Sequence, residues 1–231
     1  MTQLQLIEVF HSLQGEGETV GLPTTFVRFA GCSLRCSWCD STYTFAGGKA
    51  WTLDEALAAV SANGAKRVCV TGGEPLDHGE ACVALVSALM ERGIRVILET
   101  SGSLPIDAFD ALAPRALLQV SMDVKCPASN MQKRNRYENI ALLKACDQLK
   151  FVIADERDYA FAKQVLADHA PFAAPVLMQP MWASPDPVGP TKLEGEAMTL
   201  ERLAGLVLAD GLDVRVGTQL HKVIWGHAKG V

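Results

Sequence analysis

Two apolar patterns alternate along this chain. Runs that are nearly continuously apolar and β-branched occur at TTFVRFAG (24–31), KRVCVTGG (66–73), IRVILET (94–100), ALLQVSMDV (116–124), QLKFVIA (148–154), PVLMQP (175–180) and LDVRVG (212–217). Such runs fit parallel strands covered on both faces. Between them apolar residues recur at helical spacing. Leu53, Ala56, Leu57 and Val60 follow a capping-box pair, Thr52 and Glu55. Cys82, Leu85, Val86 and Leu89 form a second stripe, and Ala162, Val165 and Leu166 a third behind Asp155 as cap. Leu200, Leu203, Leu206 and Val207 form a fourth, behind Thr199. Strand–helix alternation needs crossover connections and hence a parallel sheet. Strand starts roughly 25–40 residues apart are within reach of βα units. The prediction is an α/β fold, a partial (β/α) barrel of about six to seven mainly parallel strands, with an open doubly wound sheet as second choice.

Composition bounds the size and the partners. The chain has 231 residues, 49% of them hydrophobic and 20% charged, which suits one sizeable core, so residues 1–231 are expected to form a single domain. The proline-rich stretch 181–196 reads as a surface loop or lid. A net charge of -5 argues against broad binding to nucleic acid. No stretch approaches the ~20 apolar residues of a membrane span, and MTQLQLIEVF does not read as a secretion signal. A soluble, cytoplasmic protein without membrane or nucleic-acid partners is expected.

Three of the seven cysteines, Cys32, Cys36 and Cys39, fall in GCSLRCSWCD just after the first strong strand. Loops at the carboxyl ends of parallel strands carry chemistry in α/β folds. Three thiolates on one short loop can hold a cubane iron–sulfur cluster and leave its fourth iron open. A structural zinc ion is the alternative, and it needs a distant fourth ligand such as His11 or Cys126. After the second run comes Thr71-Gly72-Gly73-Glu74-Pro75. Its glycines let backbone approach a ligand closely, and Glu74 offers an acceptor for an ammonium group. Arg28 lies inside an apolar strand, where a charge is costly unless paired. It is either a structural ion pair or a fork for a carboxylate. The turn Gln14-Gly15-Glu16-Gly17 reads on its own as a flexible polar loop with exposed amides.

The cysteine spacing, with Trp38 in the aromatic place before the last cysteine, resembles the signature loop of radical S-adenosylmethionine enzymes, and TGGEP resembles their GGEP element. Together SLQGEG, FVRFAGCSLRCSWCD, TGGEP, DVKCP and MQPMW are similar to the 7-carboxy-7-deazaguanine synthase family over about residues 8 to 225. That resemblance implies a lyase that uses a [4Fe–4S] cluster, S-adenosylmethionine and Mg2+. The reaction implied is conversion of 6-carboxy-tetrahydropterin to 7-carboxy-7-deazaguanine with loss of ammonia, through an adenosyl radical that takes hydrogen from C6, in the route to queuosine and other 7-deazapurines. It assigns the cluster to Cys32, Cys36 and Cys39, and Mg2+ to Ser41, where the family commonly has threonine. It assigns substrate contacts to Leu13, Gln14, Gly15, Arg28 and Thr71. Cofactor contacts fall to Trp38, Gly73, Glu74, Ser101, Asp123, Val124, Lys125, Gln179 and Met181. A small-molecule pterin substrate, a flavodoxin- or ferredoxin-like electron donor and a homodimer are implied as partners. The chain departs from the family where Asp123-Val124-Lys125 replaces Ser-Pro-Lys and where the tail continues from His221-Lys222 to Val231. Other readings of the same residues are a glycyl-radical activase or maturase, and a non-enzymatic zinc-binding scaffold.

Overall fold

All seven apolar runs form strands, and two more precede or interrupt them. The protein is described here from a computed structural model, for residues 2–183, 191, 193, 195–228 and 230. The chain order is β1 (Gln3–Leu13), β2 (Pro23–Phe29), β3 (Lys49–Thr52), α1 (Leu53–Ala62), β4 (Arg67–Gly72), α2 (Glu80–Glu91), β5 (Arg95–Thr100), α3 (Asp107–Asp110) and β6 (Leu118–Val124). It continues with β7 (Gln148–Ile153), α4 (Glu156–His169), β8 (Val176–Pro180), α5 (Leu200–Asp210), β9 (Arg215–Val216) and α6 (Leu220–Trp225). Much of the predicted loop at 181–196 lies outside the described residues, as does Val231.

The strands form one sheet of order β3-β1-β2-β4-β5-β6-β7-β8-β9. From β2 to β9 every neighbouring pair is parallel, so the parallel part has the seven strands expected. The sheet ends at β3 and β9 and does not close, in keeping with a partial barrel. The two additional strands, β1 and β3, run antiparallel. Continuous apolarity is the wrong signal for them. In β1 Leu4 and Leu6 are buried while Gln3 and Gln5 are exposed, the alternation of a strand with one wet face.

Helix starts follow local chemistry. Thr52 and Glu55 close a reciprocal capping box on α1, and Asp155 and Thr199 accept from Asp158 N and Arg202 N to cap α4 and α5. On α5, Leu203 and Val207 face the core, while Leu200 is exposed. The core lies between sheet and helices, with Leu98, Leu149, Phe151 and Ile153 fully covered.

A buried relay ties the cysteine loop to this frame. Asp158, in the first turn of α4, accepts from Ala128 N at 2.9 Å and from Ala154 N at 3.0 Å. The backbone of residues 128 and 129 then receives the Ser37 hydroxyl at 2.7 Å and Ser37 N at 3.0 Å. Helix α4 therefore anchors the middle of the loop that bears the three cysteines.

Phe151 sits in mid-sheet on β7 with no exposure. Phe151→Ala is expected to cost roughly 3–5 kcal/mol of stability. Urea unfolding followed by circular dichroism measures this as a lower midpoint with an unchanged slope.

Candidate active site

The sheet's registry lays a row of polar side chains across strands that are otherwise apolar. A β-bulge in β1 brings Glu8 opposite Arg28 of β2, and Arg28 is in register with Thr71 of β4. On the next strands Glu99 pairs with Ser121, Ser121 with Gln148, Asp123 with Lys150, and Val152 with Gln179. Most of these residues line one cavity of about 280 Å³, roofed by the loops after β1 and β2 and by the segment before and within α6.

The charged groups of this row are paired. Arg28 donates from Nε to Glu8 Oε1 at 2.8 Å and lies against the rings of Phe10 and Tyr43. The ion pair expected as one reading of Arg28 is therefore present, and the guanidinium still opens on the cavity. The Tyr43 hydroxyl donates to the same Glu8 oxygen at 3.1 Å, and burial chiefly pushes its pKa up to about 12. Glu99 accepts from Gln14 Nε2 at 3.2 Å and from Thr71 Oγ1 at 3.0 Å, which holds two predicted substrate residues on one carboxylate.

The Gln14-Gly15-Glu16 turn is not the exposed loop that its composition suggests. Gln14 is buried, and its side-chain oxygen accepts from Gly15 N at 2.7 Å. Gly15 is pressed so closely on His221 that a methyl group there would overlap the imidazole ring. Glu16 accepts from Lys150 Nζ and from Gln219 Nε2, both at 2.6 Å. Lys150 also lies 3.7 Å from Asp123 Oδ2, which Lys125 contacts at 2.9 Å. Burial alone would raise the Glu16 carboxyl, but the Lys150 ammonium and the two hydrogen bonds outweigh it and bring it down to about 2. His221 and Lys222 both line the cavity, and Lys222 pairs with Asp40 at 3.2 Å. Burial holds His221 below its usual range.

On the other side stand the cysteines. Cys32, Cys36 and Cys39 are free thiols that all line the cavity, with Trp38 beside them and Lys125 Nζ 5.4 Å from the Trp38 ring centre. Burial pushes all three thiols up, Cys39 to about 11, so thiolates here need a cation to stabilise them. The iron of a cluster would supply that charge. Among the described residues no three His, Cys, Asp or Glu side chains converge as a single metal ion requires. His11 is engaged with Thr25 Oγ1 at 3.0 Å, Cys126 is buried in the core, and neither lines the cavity. The zinc reading thus lacks its fourth ligand, whereas three separated thiols facing one cavity suit a cubane.

Loop geometry fixes the cysteines in place. Glu74 N donates to Gly31 O at 3.0 Å, and a methyl group on Gly73 would overlap the Gly31 carbonyl and crowd Cys32. Glu74 is fully buried and accepts from Thr100 Oγ1 at 2.6 Å, Leu76 N at 3.0 Å and Ser101 N at 2.8 Å, and also from the Ser101 hydroxyl. It thereby joins the loop after β4 to the end of β5. Three buried polar atoms around the cavity have no protein partner: Trp38 Nε1, Asp123 Oδ1 and Gln179 Oε1. A donor and two acceptors left open cost free energy unless a ligand meets them, and a polar cofactor such as a nucleoside does so. Ser41 Oγ donates to Asp40 Oδ1 at 3.0 Å, which sets two hard oxygen donors side by side, the kind Mg2+ takes.

Of the predicted residues, Leu13, Gln14, Gly15, Arg28, Thr71, Gly73, Glu74, Ser101, Asp123, Lys125, Gln179, Trp38, Ser41 and the three cysteines line the cavity. Val124 and Met181 do not. The Val124 side chain belongs to the core, and Met181 N is bonded to Ile153 O at 2.9 Å while Trp182 faces the cavity. Sequence reasoning missed Glu16, Asp40, Glu99, Lys150 and Gln219. Glu99 and Lys150 carried the same signal as Arg28, a charge inside an apolar strand.

A sequence profile of the radical SAM superfamily matches residues 26–150. Over 233 residues the chain is 40% identical to a 7-carboxy-7-deazaguanine synthase of Koribacter versatilis, covering 99% of this chain and all of that one. The identity to the enzyme of the same name from Thermoplasma acidophilum is 37% over 226 residues, covering 98% and 99%. The chain belongs to the 7-carboxy-7-deazaguanine synthase family. It is accordingly a radical S-adenosylmethionine lyase that uses a [4Fe–4S] cluster and S-adenosylmethionine. The crystal structure of QueE from Escherichia coli superposes with a TM-score of 0.72 over 96% of both chains at 22% identity, a likeness of fold.

Two measurements probe this family site. Gly73→Ala should displace the cysteine loop, so that anaerobic reconstitution gives markedly less bound iron while far-UV circular dichroism is retained. Because the Glu16 carboxyl is depressed in the folded state, its contribution to stability is present above about pH 4.5 and is lost as pH falls through about 2. Acid unfolding of Glu16→Gln should lack that part of the pH slope, on the order of 3 kcal/mol in all.

Proposed function

We propose that this chain converts 6-carboxy-tetrahydropterin to 7-carboxy-7-deazaguanine with loss of ammonia, within one domain, in queuosine and 7-deazapurine biosynthesis. One observation carries the residue assignment: the cysteine loop and the Arg28–Thr71–Glu99 row open on the same cavity. When bound, the cluster and S-adenosylmethionine supply one-electron, hydrogen-abstracting chemistry.

The chain's own residues divide the cavity between two ligands. Cys32, Cys36 and Cys39 hold the cluster. Trp38, Gly73, Glu74, Ser101, Asp123, Lys125 and Gln179 take the cofactor, whereas Val124 and Met181, expected beside them, lie off the cavity. The open acceptors Asp123 Oδ1 and Gln179 Oε1 support this side. Every acceptor oxygen of Glu74 is already engaged, so an ammonium group reaches it by replacing the Ser101 hydroxyl.

Leu13, Gln14, Gly15, Arg28 and Thr71 take the pterin. Arg28 meets its carboxylate with the part of the guanidinium not spent on Glu8, and Gln14 and Thr71 present amide and hydroxyl groups held by Glu99. Ser41 would hold Mg2+, which would supply positive charge for the substrate carboxylate. The ion must compete with the Lys222–Asp40 pair, so it binds weakly before substrate arrives. Fixing C6 against the cofactor contributes several kcal/mol through orientation, roughly 7–11 at best. A flavodoxin- or ferredoxin-like donor, a homodimer and a cytoplasmic location complete the proposal. It agrees with the finding that no described helix is long and apolar enough to cross a membrane.

Anaerobic enzyme given reductant, S-adenosylmethionine, Mg2+ and 6-carboxy-tetrahydropterin should form the deazaguanine acid, identified by mass spectrometry. Cofactor cleavage without that product would remove the substrate assignment and keep the class. Arg28→Ala should raise KM for the pterin by about ten-fold or more, the range for losing a charged hydrogen bond, and leave the cluster's absorption spectrum intact. Loss of the cluster in that variant would make Arg28 structural.

A further inference from the structure

Asp77 and His78 do not line the cavity, yet they grip the loop that bears its cysteines. Both belong to the turn after β4. Glu74 caps that turn by accepting from Leu76 N, and Pro75 opens one turn of 3-10 helix over Pro75–His78. Two consecutive side chains then reach back to the chain leaving β2. His78 directs Nε2 at Ala30 O, 2.7 Å away, and a carbonyl oxygen only accepts, so that nitrogen carries the proton. The same ring stacks on Phe29, with centres 4.5 Å apart. Asp77 Oδ2 accepts from Ser33 N at 2.6 Å. Gly31-Cys32 is therefore held from both sides by one turn, at Ala30 before it and at Ser33 after it.

Local structure does not account for this arrangement. Helix α2 starts behind Gly79 without a side-chain cap, so Asp77 is not spent there. Its partner Ser33 lies 44 positions away in the chain. The carboxylate acts on the neighbouring ligand as well as on the backbone. Burial chiefly pushes the Cys32 thiol up, and the Glu74 and Asp77 carboxylates push the same way. Leu34 N, 3.4 Å from Cys32 Sγ, works against them. Ser33 N, by contrast, is taken by Asp77 and kept from any sulfur. Amides aimed at sulfur and charge close by are two levers with which a protein sets a cluster's potential.

We propose that Asp77 and His78 are positioning residues for Cys32, and that the Asp77 carboxylate also holds the potential of the cluster down. This rests on Cys32, Cys36 and Cys39 being the cluster ligands. Reduction adds one electron to the cluster, taking it from the 2+ to the 1+ state, and a fixed negative charge beside it makes that step harder. Loss of the charge and release of Ser33 N toward sulfur act in one direction, toward easier reduction. His78 contributes through its bond to Ala30 O and its stack on Phe29. Its removal loosens the loop and leaves the Asp77 charge in place.

The test uses anaerobically reconstituted holoenzyme, with dithionite as the one-electron donor. Asp77→Asn keeps an oxygen acceptor for Ser33 N and removes the charge. It should hold iron against EDTA as wild type does, while an EPR-monitored titration of the 1+ state gives a more positive midpoint potential. That shift should shrink in 1 M salt, where the screening length is about 3 Å. Asp77→Ala and His78→Phe each delete one grip, and phenylalanine keeps the stack. Both should release iron to EDTA faster, by about ten-fold for Asp77→Ala, the range for losing a charged hydrogen bond. Only Asp77→Ala should share the positive shift in potential. A wild-type potential in Asp77→Asn would overturn the proposal, as would wild-type iron release in Asp77→Ala and His78→Phe. Faster release that merely tracks a lower Tm of the apoprotein would make the turn a general brace and overturn it too. Wild-type holoenzyme without an iron–sulfur signal would remove the reading of the cysteines, and this inference with it. Pterin turnover enters neither readout, so its failure bears on the substrate assignment alone.

Discussion

The close approach of two backbones, Gly31 after β2 and Gly73 after β4, governs where everything else in the cavity can stand. Parallel register brings Phe29 level with Gly72, so both chains leave the sheet together. Phe29 and Gly31 each accept from the departing strand, through Gly73 N at 3.1 Å and Glu74 N at 3.0 Å. Nothing larger than hydrogen fits on Gly73 between them. This contact sets the first cysteine at a fixed height above the sheet. The Ser37–Ala128–Asp158 relay sets the loop's middle from the opposite side. Three thiols on an eight-residue segment would otherwise be free to point apart. Two independent anchors keep them facing one space.

Electrostatics then divide that space. A parallel sheet buries its strands on both faces, so each charge on the cavity side needs a partner. Glu8 with Arg28 and Lys150 with Asp123 are matched laterally across strands by registry, Lys125 joins Asp123 from two residues on, and Glu99 is held by the neutral donors of Gln14 and Thr71. Lys150 links Glu16 of the roof to Asp123 of the floor and so ties the proposed substrate loop to the proposed cofactor strand. The few buried polar atoms left over are on the cofactor side. The cations of the site are matched, while one indole donor, one amide oxygen and one carboxylate oxygen stay open, a mixed set that suits a nucleoside.

Much of this was legible in the sequence because it is local. The apolar runs gave the seven parallel strands, and Thr52, Asp155 and Thr199 marked three helix starts through side chains that reach only three residues ahead. The Cys32–Cys39 spacing and Gly73 were readable for the same reason. Strand β1 was missed because its two faces differ, and Leu4 and Leu6 alternate with glutamines. The non-local part was not readable. Gln14 and Gly15 look like a solvated turn, and only the return of the chain at Gln219–Lys222 buries them, through Leu220 N on Gly15 O at 2.9 Å and His221 against Gly15. Likewise Arg28 offered two readings. The fold gives it a partner, Glu8, that a bulge in the unrecognised strand supplies.

The contrast between inside and rim follows from the same physics. In the cavity a lone charge is penalised by burial, so unpaired ions do not persist there unless a ligand answers them. At the solvent edge of the cysteine loop that penalty vanishes, and an unmatched cation costs little. Exposed Lys49, Lys66, Arg92 and Arg95, far along the chain from that loop, likewise form no ion pair with any described residue.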